Sequence, residues 1–182
     1  MVFSTTASVL AFALGVCLFA PPALAQERRT VVVGSIGFAG IGHADSGQGN
    51  APLFGGGIGT FLTPSLVVEG DAHWASVSHV FDRDQHDFAE TTVTGSLLYR
   101  STPDRGAHFI AGGGAGLQWA RIHVDDPPLR IDRTETIRLL HGRIGGEWDV
   151  SSRMALRTEA VLWFGEGLDW VLGARVSLGY RF

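Results

Sequence analysis

From Trp170 to Phe182 the chain alternates without a break. Trp170, Leu172, Ala174, Val176, Leu178, Tyr180 and Phe182 hold the even positions, and Val171, Gly173, Arg175, Ser177, Gly179 and Arg181 the odd ones. Successive side chains of a strand point to opposite faces, so one face here is continuously apolar while the other carries two arginines. A soluble barrel has the opposite arrangement, with its apolar residues inside and its charges in water. An apolar outer face with aromatics at both ends, backed by a polar inner face, fits a wall between lipid and a polar lumen.

The same period recurs in seven earlier segments. Thr30 to Ile41 sets Val32, Ile36 and Phe38 on one face, and Leu53 to Leu62 sets Phe54, Ile58 and Leu62 outward. The third segment opposes Leu66, Val68, Gly70, Ala72 and Trp74 to Val67, Glu69, Asp71 and His73. Phe88 to Arg100, His108 to Arg121, Thr136 to Trp148 and Arg153 to Phe164 follow, the sixth less regular near its start. Thr63 to Ser65, Ser101 to Gly106 and Asp149 to Ser152 read as compact turns. Gly42 to Asn50, His79 to Asp87 and Ile122 to Glu135 read as longer polar loops, and Gly165 to Asp169 as a short one. The fold expected is all-β: an eight-stranded antiparallel up-and-down transmembrane β-barrel, with short turns and both strand termini on the periplasmic side. Tyr99, Trp148, Tyr180 and Phe182 fall at that end, and Trp74, Phe88, Trp119, Phe164 and Trp170 at the other, as two interfacial girdles.

The first 25 residues read as a secretory signal peptide. An apolar run from Val9 to Ala20 precedes Pro21-Pro22 and the small-x-small sequence Ala23-Leu24-Ala25, after which Gln26-Glu27-Arg28-Arg29 is polar. No Lys or Arg precedes the run, so the amino terminus supplies its only positive charge. The run is shorter than the ~20 residues of a spanning helix, which disfavours an anchor. Val16 is larger than the residue that lipoprotein processing wants before a cysteine, which disfavours lipidation at Cys17. Residues 26–182 are then the barrel domain, free of cysteine and of any second apolar stretch long enough to span as a helix. The net charge of −4, with arginine as the sole basic residue type, argues against nucleic acid as a partner.

An eight-stranded lumen is only wide enough for side chains to fill. Parity sends Glu69, Asp71, Glu147 and Glu159 inside together with Arg143, Arg157, Arg175 and Arg181, four acids against four bases. Unpaired buried charge is costly, so this set is expected to pair across neighbouring strands, with Arg143, Glu159 and Arg175 at its centre. Such a network is either a static plug or a gate for a narrow pore. Lipid modification would need a nucleophile and base aimed at the membrane; Ser76 is outward, but His73 and His141 point inward and no His-x-Ser pair lies on the lipid face. The chain is therefore expected not to be an enzyme, and no cofactor is implied. Asp82, Asp84, His86 and Asp87 could offer oxygen ligands to a divalent cation, but their spacing fits no defined site, and no metal is expected.

Gly55 to Ala72, GGGIGTFLTPSLVVEGDA, the GGGAGL stretch from Gly112 to Leu117 and the terminal LGYRF together resemble the small outer-membrane β-barrel family that includes the OmpA transmembrane domain and OmpX. The resemblance covers residues 26–182, and its motifs speak for fold and location, not activity. It implies an integral protein of a Gram-negative-type outer membrane, in contact with outer-membrane lipid and lipopolysaccharide and acting as a monomer in a structural or surface-interaction role. It also implies that Val176, Leu178, Tyr180 and Phe182 form the C-terminal signal read by the barrel-assembly machinery. The peptidoglycan-binding domain of OmpA has no counterpart in these residues, so cell-wall anchoring is not expected.

Overall fold

The computed structural model describes residues 30–43, 47–81, 84–101, 106–126, 129–165 and 168–182. The signal-peptide reading of residues 1–25 lies outside them. Eight strands follow in order: β1 (Thr30–His43), β2 (Gly47–Thr63), β3 (Leu66–Phe81), β4 (Asp84–Arg100), β5 (Ala107–Asp126), β6 (Leu129–Asp149), β7 (Met154–Gly165) and β8 (Leu168–Arg181). Each pairs antiparallel with the next, and β1 pairs with β8 from Val31↔Arg181 to Ala39↔Gly173, closing the barrel. The expected fold is the fold found.

Closure fixes the tilt. Following paired residues round the wall leads from Arg181 through Val31, Gly59, Glu69, Ser96, Gly114, His141 and Trp163 back into β8 at Val171. The circuit returns ten residues from its start. With a rise of ~3.3 Å per residue and strands ~4.7 Å apart, that offset tilts the strands by about 40° from the barrel axis. Each step from β8 through β1 toward β7 therefore climbs about 3 Å toward the external end, and residues level in the lumen are not register partners.

Facing follows the parity. Val32, Ile36, Phe38, Phe54, Val68, Leu97, Tyr99, Phe109, Leu140, Ile144, Leu156, Leu172, Val176 and Leu178 are exposed on the outer wall. Glu69, Asp71, His73, Arg143, Arg157, Glu159 and Arg175 are buried inside. Inside, an apolar cluster of Ala39, Ala51, Leu53, Ala75, Leu139, Val161 and Trp163 lies toward the external end. A second cluster, Val67, Leu98 and Ile110 with Phe61 packed against it, lies toward the turns.

The strand ends correct the sequence reading. The external connections are shorter than expected, because the sheet continues to His43 and Gly47, to Phe81 and Asp84, to Asp126 and Leu129, and to Gly165 and Leu168. The added residues lack the regular apolar alternation that announces a strand, so the sequence reading stopped short of them. β6 accordingly starts at Leu129, not Thr136. β5 and β6 run for 20 and 21 residues, about twice the ~10 that a tilted strand needs to cross the membrane.

Two glycines are demanded by geometry. Gly106, at the turn into β5, has φ of 76°, which L side chains rarely adopt. A Cβ on Gly114 would overlap the carbonyl oxygen of Gly95 in β4. With Gly112 and Gly116 beside it, Gly114 leaves the inner face of β5 without side chains between Ile110 and Gln118.

Candidate functional site

The inward charges form one connected array with two tiers. At its centre Arg143 uses its whole guanidinium. Nε donates to Glu159 Oε1 (2.8 Å), Nη1 to Asp71 Oδ2 (2.9 Å) and Ser96 Oγ (3.1 Å), and Nη2 to Glu69 Oε1 (2.5 Å). Glu69 and Asp71 stand on β3, across the lumen from β6, so this side chain spans the bore. Arg175 donates from Nε to Glu159 Oε2 (2.9 Å) and from Nη1 to His73 Nε2 (2.7 Å), with a longer contact to Asp71 Oδ1 (3.4 Å). Arg157 donates from Nη1 to Glu69 Oε2 (2.8 Å) and from Nη2 to Glu147 Oε2 (3.0 Å), joining the central tier to the lower one.

The lower tier sits at the turn end. Glu147 Oε1 accepts from Arg100 Nε (2.8 Å) and Arg181 Nη2 (2.7 Å), and Arg181 also reaches Asp149 Oδ1 (2.7 Å). His108 Nε2 lies 3.2 Å from Asp149 Oδ2, and its Nδ1 lies 2.9 Å from the Ser101 carbonyl oxygen. Partial burial pushes the Asp149 carboxyl up, but hydrogen bonds from Arg181 and His108 outweigh it and hold the group below the usual carboxylate range.

All eight charged residues expected in the lumen lie in this array. Their partners differ from the expectation in one respect: Arg143, Glu159 and Arg175 do meet across adjacent strands, but Glu69 and Asp71 are reached from the far wall. The tilt brings those distant register positions to one height. Arg100 and Asp149 were not on the candidate list, although Arg100 has inward parity in β4; Asp149 reads in sequence as the start of a turn. Two serine–histidine pairs were also missed, Ser35 Oγ with His73 Nε2 (3.2 Å) and Ser96 Oγ with His141 Nε2 (2.9 Å). Both sit in the lumen, where arginines already engage His73 and Ser96. Among the described residues, the buried side-chain atoms without a protein partner are His141 Nδ1 and Ser177 Oγ.

His108, Glu147 and Asp149 bring ligand-type atoms within 4.8 Å of one another. Arg100 and Arg181 already occupy both carboxylates, so a cation there would have to displace two guanidinium groups. The side chains of Asp82, Asp84, His86 and Asp87 lie outside the described residues. Val176, Leu178, Tyr180 and Phe182 all face outward, and the Phe182 ring meets Tyr180 edge-on with centroids 5.0 Å apart.

The model of the outer membrane protein β-barrel domain family matches residues 9–182. No curated protein matches the chain in sequence. Among solved structures, the Neisserial surface protein A, NspA, is similar with a TM-score of 0.68 at 14% identity, covering 84% of this chain and 97% of its own. Ail, the attachment invasion locus protein of Yersinia pestis, aligns with a TM-score of 0.65 at 13% identity, over 86% of this chain and all of Ail. The N-terminal β-barrel domain of Pseudomonas aeruginosa OprF gives 0.56 at 18% identity, over 86% of this chain and all of that domain. At these identities the likeness is one of fold.

Proposed function

The chain belongs to the outer membrane protein β-barrel domain family, and on that premise we propose that it is a structural or surface-interaction barrel whose lumen is plugged by its own side chains. The observation that carries this reading is the reach of Arg143 from β6 to Glu69 and Asp71 on β3. Each guanidinium nitrogen has a carboxylate, and each of these acids is shared with a second arginine. Opening a water path through such a layer would strip charge-assisted bonds from groups that are almost wholly buried. The apolar clusters above and below narrow the bore further.

A surface role is supported by β5 and β6, whose upper halves continue past the membrane as ordered sheet. Export by cleavage after Ala25, insertion through the C-terminal strand by the assembly machinery, and existence as a monomer belong to the same reading. Catalysis does not, because the serine–histidine pairs lie in the charged lumen and not on the lipid face. Planar-bilayer recording tests the proposal. The parent protein should show little or no steady conductance, and a large stable channel would overturn the plugged reading in favour of a pore.

A further inference from the structure

We propose that two rows of residues, Ser35 with Gly55 and His73, and Ser96 with Gly114 and His141, aim the central arginines of the lumen and so hold it shut. The rows are built alike. Ser35 on β1 pairs with Gly55 on β2, and Gly55 with His73 on β3. Ser96 on β4 pairs with Gly114 on β5, and Gly114 with His141 on β6. In each row the imidazole crosses the middle strand and its Nε2 meets the serine Oγ, at 3.2 Å in the first and 2.9 Å in the second. Such a bond bridges two strand spacings, about 9.5 Å, and needs a middle residue without a side chain. A Cβ on Gly55 would run into the His73 ring. At ~3.3 Å per residue and a tilt of about 40°, Ser35 stands level with Ser96 and His73 with His141, each to within about 1 Å. Both rows therefore flank the same charged layer.

Each row presents a neutral acceptor to one arginine. Arg175 Nη1 lies 2.7 Å from His73 Nε2, and Arg143 Nη1 lies 3.1 Å from Ser96 Oγ. A guanidinium can only donate, so His73 Nε2 carries no hydrogen and its ring proton sits on Nδ1. Ser96 accepts from Arg143 and turns its own hydrogen to His141 Nε2, which places that ring proton on Nδ1 as well. The rows differ in what remains when the acceptor is lost. Without His73, Arg175 Nη1 keeps a 3.4 Å contact to Asp71 among the described residues. Without Ser96, Arg143 Nη1 keeps Asp71 at 2.9 Å. His73 is thus the stronger positioning residue, and replacing it leaves every acid and arginine of the array in place.

This inference rests on the plugged reading and names what keeps the plug closed. The test is planar-bilayer recording of the full barrel with His73 replaced in two ways. His73→Gln keeps an acceptor and should stay as silent as the parent. His73→Leu fills similar space without one, and should raise the fraction of time open about tenfold, the scale of one hydrogen bond to a charged group. His141→Leu should act in the same direction more weakly. Heat-modifiable gel mobility identifies the folded variants. A folded His73→Leu as silent as the parent would overturn the rows and leave the plug standing, and a glutamine variant as open as the leucine one would reduce His73 to packing. A large stable channel in the parent would overturn the plug itself and the rows with it. Residue-assigned imidazole nitrogen NMR of the parent in nanodiscs serves if leucine does not fold: the His73 ring should carry its hydrogen on Nδ1 alone, and a hydrogen on Nε2 would overturn its role as acceptor.

Discussion

Arg143 on β6 and Glu69 on β3 meet across the lumen at 2.5 Å, with both side chains almost completely buried. Two strands, β4 and β5, separate them along the shorter way round the wall, so the contact ties distant parts of the barrel. Arg143 also holds Asp71 and Glu159, and its removal leaves three buried acids short of a donor. Arg143→Ala should therefore cost about 3 to 5 kcal/mol in reversible unfolding from bilayers, and less if water enters to solvate the acids. If the array is a plug, the same variant should show conductance that the parent lacks. A variant as stable and as silent as the parent would show that the layer neither braces nor blocks the barrel.

Arg175 and Glu159 are coupled differently, because Glu159 keeps Arg143 as a donor when Arg175 is lost. Arg175→Ala should be milder than Arg143→Ala. The double variant Arg175→Ala/Glu159→Ala should cost less than the two single losses together, since contacting charges are not additive. A double-mutant cycle in guanidinium measures this, and strict additivity would show that the 2.9 Å contact carries no coupling.

Facing and depth can be separated on the outer wall. Ile144 lies four residues above Trp148 on β6, well inside the apolar band, while Leu156 is the register partner of Trp148 itself. Ile144→Arg should cost about 2 to 4 kcal/mol and Leu156→Arg about 1 kcal/mol or less, because the penalty falls off toward the interface. Equal costs would show that the tilt and depth assignments are wrong.

Asp149 gives a pH test at the turn end. Its pairs with Arg181 and His108 hold its carboxyl below the ordinary range in the folded state. The associated stability is therefore complete above the unfolded value, ~3.9, and is lost as pH falls through the lower folded value. The stability gap between the parent and Asp149→Asn should be full at pH 7 and shrink as the pH drops below about 4. A gap that widens on acidification would contradict the pairing.

The wall was legible in the sequence and the inside was only partly so. Lipid forces Ile36, Leu140 and Val176 outward by simple alternation, and the inward parity of Glu69, Arg143 and Glu159 follows from the same rule. Which acid meets which arginine depends on the ten-residue offset of closure, a property of the whole circuit that no single strand displays. Arg100 escaped because four acids and four bases already balanced without it, and Asp149 because a strand's last residue looks like a turn. The upper parts of β5 and β6 escaped because the polar stretch from Ile122 to Glu135, with Pro127 and Pro128 in it, reads in sequence as a loop.

The C-terminus joins assembly to closure. The Phe182 N–H donates to the Thr30 carbonyl (3.0 Å), extending the β1–β8 seam by one bond, and its ring packs edge-on against Tyr180. The Tyr180 hydroxyl in turn accepts from Arg153 Nη1 (3.2 Å) in the neighbouring turn. In the finished barrel these contacts are peripheral: an aromatic pair is worth about 0.5 to 1.5 kcal/mol, too little to unfold the protein. If Val176, Leu178, Tyr180 and Phe182 are also the assembly signal, deleting Phe182 should impair insertion far more than stability. The deleted protein should be exported, accumulate in the periplasm or be degraded, and yet fold nearly as stably as the parent when refolded into bilayers in vitro. Normal outer-membrane levels with normal heat-modifiable mobility would remove the signal role, whereas a protein that fails equally in vitro would make Phe182 a closure residue instead.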